Sequence, residues 1–532
     1  MLKISNIILP LDHSEQDLEN EILNRLLIGK EELEAYKIQK RSVDARRKGA
    51  IKLVYTIIAE VKDPERIYGS ITRFKSVAKI EESQYQAPKP GTGEIKNRPL
   101  IVGTGPAGIF AGLILAEAGL RPILLERGKE VVRRTQSTFN FWRNSELDPE
   151  TNVQFGEGGA GTFSDGKLYS RIRDKENRPK KVLEEFASAG APQDILYKKK
   201  PHIGTLKLVK IVQELRAKIT SLGGEYHFEK KVVNLILKDG KITGVVLNGG
   251  EKIFSDQVIL AIGHSARDTF EMLETRGVVI EPKPFSIGLR IEHPQTLIDR
   301  SQYGDAAGHP RLGAADYQLV YHSQSGRTVY SFCMCPGGSV LAASSESESV
   351  VTNGMSQYSR RERNANSALV VEVFPADFPQ GNLGGIKYQR TWEKLAYQIG
   401  GSDYRAPVQR LEDFLLGLPS ERIGDVKPSY QPGITPANLD FALPKYVVDS
   451  IREAVPEFTK KISGFDLPDA MLTGVETRTS SPVKIVRDSS LQSVSIRGLY
   501  PVGEGSGYAG GILSSAVDGI KAAEMVIRKT AL

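Results

Sequence analysis

Cysteine is almost absent from this chain, which has two in 532 residues, Cys333 and Cys335. A single intervening residue suits neither a structural disulfide framework nor the C-x-x-C pattern of zinc and dithiol sites, and such sparing usage fits a reducing cytosol. Metal-ligand spacing is missing too. His264 and His293 each stand alone, so they read as structural histidines and no metal is expected. The leading MLKISNIILPLDHSEQ has too short an apolar run for a secretory signal and no small-residue cleavage site, and no other span reads as an anchor. A cytoplasmic protein without membrane contact is expected. Charge of one sign is scarcely in excess: 71 Lys and Arg against 64 Asp and Glu, a net +7, permits anionic ligands without requiring nucleic acid. Length is ample, enough for two or three domains with large cores and a cofactor-sized cleft between them.

Against these absences stands one glycine-rich stretch, Leu100–Gly128, LIVGTGPAGIFAGLILAEAGLRPILLERG. Leu100, Ile101 and Val102 form an apolar run fit for a strand buried on both faces, with Pro99 at its edge. Gly103, Gly105 and Gly108 follow as G-x-G-x-x-G. The first allows a tight turn, the second lets backbone approach a pyrophosphate, and the third lets the helix pack close to the strand. Pro106 and Ala107 open a helix running to about Ala118, where the ligand charge would meet the helix N-terminus. Ile123 to Leu125 make a second strand ending at Glu126-Arg127, and the Glu126 carboxylate can accept both ribose hydroxyls. An acid there favours an unphosphorylated ribose, hence FAD or NAD rather than NADP. The competing reading is a membrane helix over Leu100–Leu120, in which Glu117 is the only charge. Gly103, Gly105, Pro106, Gly108 and Gly112 argue against it.

Ahead of this stretch, residues 3–9 alternate as a strand, and Ser14 with Asp17 resembles a capping box opening a helix with Leu18, Ile22 and Leu26 on one face. Strands over Tyr36–Ala45 and Ala50–Val61, a helix over Pro64–Phe74 and a strand over Ser76–Glu82 complete a β-α-β-β-α-β order. That order predicts a ferredoxin-like α+β domain over 1–82, followed by a Pro/Gly-rich linker over 83–97. Lys40, Arg41, Arg46, Arg47, Lys48 and Lys52 cluster on its hairpin. With no aromatic platform beside them they read as a solvated face in preference to an RNA surface.

Beyond the fingerprint, Phe155 to Lys167 is FGEGGAGTFSDGK. Its backbone donors can form an anion nest, so Gly159, Ala160, Gly161, Thr162 and Lys167 are candidate cofactor contacts; a plain surface loop is the alternative. Leu206 to Leu222 has helical periodicity. Strands at Lys231–Leu237, Ile242–Leu247, Ile253–Phe254 and Gln257–Ile262 then form a meander ending in VILAIG. This order resembles the FAD-binding domain of the glutathione-reductase-fold flavoproteins, with Ile262 where threonine is usual. The resemblance implies that Val232 or Val233 passes the adenine and that Ala261 and Gly263 lie near the pyrophosphate.

From about Pro282 to Asp469 strands and helices alternate without another fingerprint and read as a cap or substrate domain. Candidate strands are Phe285–Glu292, Tyr317–His322 and Thr328–Cys333; candidate helices are Tyr388–Ile399, Val408–Leu416 and Lys445–Lys461. Cys333 and Cys335 read as small apolar side chains at a strand end, although a thiol beside a flavin would be chemically useful. Arg478 and Lys484 could face an anionic substrate or be ordinary surface charges. The closing GLYPVGEGSGYAGGI delivers Gly503-Glu504 to a glycine turn, with Gly510, Gly511 and Ile512 starting a helix. In similar flavoproteins an aspartate at the Glu504 position bonds the ribityl hydroxyls, and the helix N-terminus faces the flavin pyrimidine carbonyl.

Together, the GEGGAGTFSDGKL and GEGSGYAGGI stretches resemble bacterial FAD-dependent dehydrogenases labelled NAD(FAD)-utilising dehydrogenase. The expected architecture is a Rossmann-like α/β FAD-binding domain over 98–281 and 470–532, with an inserted α+β cap over 282–469. The expected function is hydride or electron transfer between a small organic substrate and FAD, with NAD(P)H docking transiently because no second fingerprint exists. An RNA-modifying flavoprotein and a non-catalytic flavin sensor are the alternatives. No catalytic acid or base is identifiable.

Overall fold

The computed structural model describes residues 1–71, 75–81, 83–89, 97–170 and 172–529. An amino-terminal antiparallel sheet has the order Leu33–Asp44, Lys52–Val61, Leu2–Pro10, Val77–Lys79, with helices Glu15–Leu26 and Pro64–Ile71 against it. The capping box forms as expected: Ser14 Oγ accepts from Asp17 N at 3.1 Å and Asp17 returns the bond to Ser14 N at 2.7 Å. Leu18, Ile22 and Leu26 bury against Leu2, Ile4, Ile7 and Leu53. The second helix was expected to reach Phe74, which lies outside the described residues, as does most of the linker. Where the linker is described, Tyr85 donates to Glu524 at 3.1 Å on the carboxy-terminal helix.

The centre is a five-stranded sheet in the order Leu499–Pro501, Val258–Leu260, Leu100–Val102, Ile123–Leu125, Glu225–His227, parallel throughout. Every residue from Ala107 to Ala116 of helix Pro106–Glu117 is buried, because helix Ile512–Lys529, helix Thr205–Ser221 and the sheet all pack on it. That all-round burial explains a run apolar enough to read as a membrane span. Among the described residues no helix is long and apolar enough to cross a membrane. Strands Val232–Lys238, Lys241–Leu247 and Lys252–Phe254 form the meander that leads into Val258–Leu260.

The third layer is a seven-stranded sheet, in the order Val320–His322, Thr328–Cys335, Asn364–Val373, Phe285–Pro294, Met471–Glu476, Ala406–Arg410, Ile434–Pro436. Two expectations change here. The helix expected over Val408–Leu416 is strand Ala406–Arg410 followed by the short helix Leu411–Leu416. Pairing of Val408 with Thr473 and burial of the strand override the local helical pattern. The segment from 470 first gives Met471–Glu476 to this sheet, and rejoins the parallel sheet only at Leu499–Pro501. Helices Val131–Asn144 and Arg178–Ser188, and strand Asn364–Val373, carried no assignment in the sequence reading.

Candidate functional site

Three neighbouring parallel strands, Leu100–Val102, Val258–Leu260 and Leu499–Pro501, end in glycine turns on the same side of the sheet. Their turns line one cavity of about 1480 Å³. Ligand clefts at the carboxyl ends of parallel strands follow from this topology. Sites for drug-sized ligands reach about 1,000 Å³, so this cavity has room for an elongated dinucleotide and a second molecule.

The fingerprint divides its labour. Gly103 has φ +99°, and a Cβ there would stand 2.3 Å from the Ala261 carbonyl oxygen. Gly103, Gly105, Pro106 and Ala107 line the cavity; Gly108 lies behind them, where a Cβ would stand 1.9 Å from the Gly103 carbonyl oxygen. No side chain caps the helix at Gly105, so its first amides are left for a ligand. Glu126 also reaches the cavity. Its Oε2 accepts from Thr104 N at 3.0 Å and Thr104 Oγ1 at 2.8 Å, and its Oε1 from Gly128 N and Gly156 N, both at 3.0 Å. Four protein donors fix the carboxylate, so ribose hydroxyls would share an acceptor that is already oriented. Arg127, also lining the cavity, lies over Phe155 and pairs bidentately with Asp268 at 2.9 and 3.0 Å. Val232 lines this end, whereas Val233 is 42% exposed on the other face of its strand.

The second glycine stretch closes over the first. Gly158 N donates to Thr104 O at 2.8 Å, and a Cβ on Gly159 would stand 2.9 Å from the Gly105 Cα. Gly159, Ala160 and Gly161 line the cavity. Thr162 does not; it is buried behind the loop, 3.4 Å from Arg134 Nη1. Arg134 is the organiser missed in the sequence. Fully buried, it donates to the carbonyls of Asn152, Val153, Glu157 and Gly159 at 3.0, 2.8, 2.6 and 2.9 Å. Nothing in the local sequence around an arginine in an amphipathic helix reveals that its partners are carbonyls 18 to 25 residues away.

Ala261, Gly263, Gly503, Glu504, Gly510, Gly511 and Ile512 also line the cavity. The Glu504 side chain accepts no hydrogen bond from the described residues. Burial pushes its carboxyl up to about 7, with Lys283 pulling the other way. An open acceptor beside turns Gly510–Gly511, where a Cβ would meet nothing but the Ser514 hydroxyl, fits the polyol and ring of a flavin nucleotide. Lys167 stands on the opposite wall, not in a phosphate nest. Its Nζ lies 3.3 Å from Asp165, donates to Met334 O and reaches Cys335 Sγ at 4.0 Å.

That wall belongs to the cap sheet and was only partly legible. Phe332, Cys333, Met334, Glu476, Arg478 and Thr479 line it. Arg478 is buried in an ion-pair cluster on the cavity wall, not an ordinary surface charge. It pairs with Glu393 at 3.1 and 3.0 Å, and Glu393 also holds Arg267 at 2.8 and 2.7 Å. Lys484 lies over the Tyr508 ring. His264 lines the cavity as a neutral ring, since burial lowers its pKa to about 3; His293 is buried on Phe465 O at 2.7 Å. Among the described residues no cluster could hold a metal ion. The amino-terminal sheet covers the mouth: Arg41 bonds backbone to backbone with Tyr197 O at 2.7 Å and Lys199 N at 2.9 Å, placing Lys3 and Lys40 at the rim beside Lys199.

Comparison with known proteins agrees with this arrangement. Residues 97–146 match the family model "FAD binding domain", residues 284–479 match "FAD-dependent protein, C-terminal domain-like", and residues 1–60 match a domain of unknown function. An uncharacterized protein of Clostridium beijerinckii is 48% identical over 530 residues, covering 99% of both chains. A digeranylgeranylglycerophospholipid reductase of Haloferax volcanii is 28% identical over 170 residues, covering 31% of this chain and 35% of that protein. The L-proline dehydrogenase structure from P. horikoshii aligns with 82% of this chain and 94% of its own at 12% identity and a TM-score of 0.35, too distant to carry an argument. The full-length match and the two flavin-domain models place the chain in one family with the C. beijerinckii protein, a family of FAD-binding flavoproteins.

Proposed function

We propose that the protein is an FAD-dependent dehydrogenase or reductase of a small organic molecule. The observation that carries this reading is the continuity of the cavity: past the glycine turns that suit a dinucleotide it extends to the cap wall and the rim of the amino-terminal sheet. When bound, FAD supplies acceptance and donation of hydride or electrons. The chain's own residues supply the rest. The amides of Gly105 and Ala107 would hold the pyrophosphate, Glu126 would hold the ribose, and Glu504 would accept from the ribityl chain. The N-terminus of helix Ile512–Lys529 would place positive helix-end charge beside the flavin, and the cap wall would exclude water. Lys3, Lys40 and Lys199 have no ion pair among the described residues, so the rim favours an anionic substrate. NAD(P)H, where it is the donor, docks from the same mouth.

The test is anaerobic. The purified protein should be yellow, or become so on reconstitution with FAD. Its absorbance should bleach with NADH, NADPH or a member of a library of small organic anions. Protein that cannot be loaded with FAD, or loaded protein that no compound reduces, would refute the reading.

A further inference from the structure

The two thiols lie where the proposed oxidoreductase would have most use for them. Strand Thr328–Cys335 enters the cavity wall at an irregularity between Phe332 and Cys335, and Cys333 adopts φ +45° there. That conformation is uncommon for a residue with a Cβ and is held by the surrounding sheet. Cys333 lines the cavity and is part-exposed to it; Cys335 is fully buried behind. The Cys335 sulfur stands 3.2 Å from the Cys333 carbonyl oxygen, and the two side chains are within hydrogen-bonding reach of each other.

Cations surround the pair. Lys167 Nζ is 4.0 Å from Cys335 Sγ, and Arg290, fully buried and paired with Glu476, donates to Cys333 O at 3.3 Å. The hydrogen bond from Cys335, aided by Lys167 and Arg290 and opposed by burial, holds the Cys333 thiol below its ordinary range. The Cys335 thiol is pushed up by the same bond and by burial. One cysteine on the cavity wall and one buried behind it is the arrangement expected of an attacking and a resolving cysteine. Glu504, from the glycine turn on the flavin side, lines the same cavity as Cys333.

We propose that Cys333 and Cys335 are a dithiol–disulfide pair that exchanges two electrons with the bound flavin, making the protein a thiol–disulfide oxidoreductase. The inference rests on the FAD reading above. In the oxidising direction the S–H bond of Cys335 breaks and an S–S bond forms between the two sulfurs. The Cys333 thiolate and Cys335 thiol together lose two electrons and one proton, which oxidised FAD accepts as the anionic reduced flavin. In reverse, reduced flavin cleaves the disulfide. Cys333, open to the cavity, is the sulfur that a substrate thiolate or disulfide would meet, and Cys335 resolves the mixed disulfide.

The experiment is a reductive titration of the FAD-loaded protein with dithionite under argon, with alkylation of samples under denaturing conditions and peptide mass spectrometry. Wild-type protein, air-oxidised at the start, should take up about four electron equivalents per FAD, two for each redox couple. Cys333 and Cys335 should resist alkylation before reduction and label afterwards. Cys333→Ser and Cys335→Ser should each take up about two, with the remaining thiol labelled throughout. The part-exposed Cys333 site serves if the buried Ser variant fails to fold. Uptake of about two equivalents by the wild type, with both thiols labelled from the start, would overturn the dithiol exchange and leave the FAD reading standing. Protein that holds no FAD would overturn both.

Discussion

The buried cluster around Glu393 offers the sharpest test of how the cap is fixed to the FAD-binding layer. Glu393 on helix Gly384–Gly400 accepts from Arg267, which follows the parallel-sheet strand Val258–Leu260, and from Arg478, which follows the cap strand Met471–Glu476. Thr477 Oγ1 adds a bond at 2.7 Å. Replacing Glu393 with Gln keeps the volume and removes the charge. Arg267 would still have Glu346 and Gln389, but Arg478 would keep only the Ser265 and Ser345 hydroxyls. An uncompensated buried guanidinium costs about 3–5 kcal/mol. Glu393→Gln should lower the urea midpoint accordingly. The unfolding can be followed by the fluorescence of the chain's two tryptophans, Trp142 and Trp392, both packed on the cap core. Unfolding of several layers need not be two-state, so the first transition is the one to read. Adding Arg478→Met should restore most of the loss, because an apolar side chain replaces the stranded charge. The two arginines hold the Glu393 carboxyl far below the ordinary carboxylate range, against the cost of burial. Its stabilisation is therefore present above the unfolded pKa of about 4.3 and fades as pH falls below it, so the gap between variant and wild type should narrow in acid. A loss under about 1 kcal/mol, or a double variant no more stable than Glu393→Gln, would refute the reasoning.

Two further outcomes follow from the cavity. Gly103→Ala places a Cβ 2.3 Å from a backbone carbonyl at a positive φ, so FAD content at purification should drop severalfold while far-ultraviolet circular dichroism stays near wild type; full FAD content would contradict the geometry. Glu504 has its pKa raised by burial to about 7, so its ionisation opposes folding: stability of the FAD-free protein should decline as pH rises from about 4.3 to 7. Glu504→Gln should then be more stable than wild type by about 2–3 kcal/mol at about pH 8 and nearly equal at about pH 4.5, as read from thermal midpoints; a pH-independent difference would count against it.

The sequence by itself determined the dinucleotide half of the site. Strand, glycine turn, helix and Glu126 are consecutive, and their roles follow from local constraints: Gly103 and Gly108 are sites where a Cβ would strike backbone, and a pattern of glycines announces that directly. The amino-terminal capping box and the meander were legible for the same reason, since each is written within a few residues. Tertiary structure decided the rest. Thr162 and Val233 sit next to cavity residues in sequence, yet a turn and a strand's alternation carry them to the other side. Strand Ala406–Arg410 took a segment with a helix-like pattern because strands Met471–Glu476 and Ile434–Pro436 offered partners that periodicity cannot see. Arg134, Glu393 and Arg478 look like surface charges in a linear reading. Each became buried because its partners arrive from elements remote in sequence, and a charge can be buried only when the fold supplies such partners. Cys333 and Cys335, two residues apart, could be read as inert until the sheet brought Lys167 and Glu504 to the same cavity.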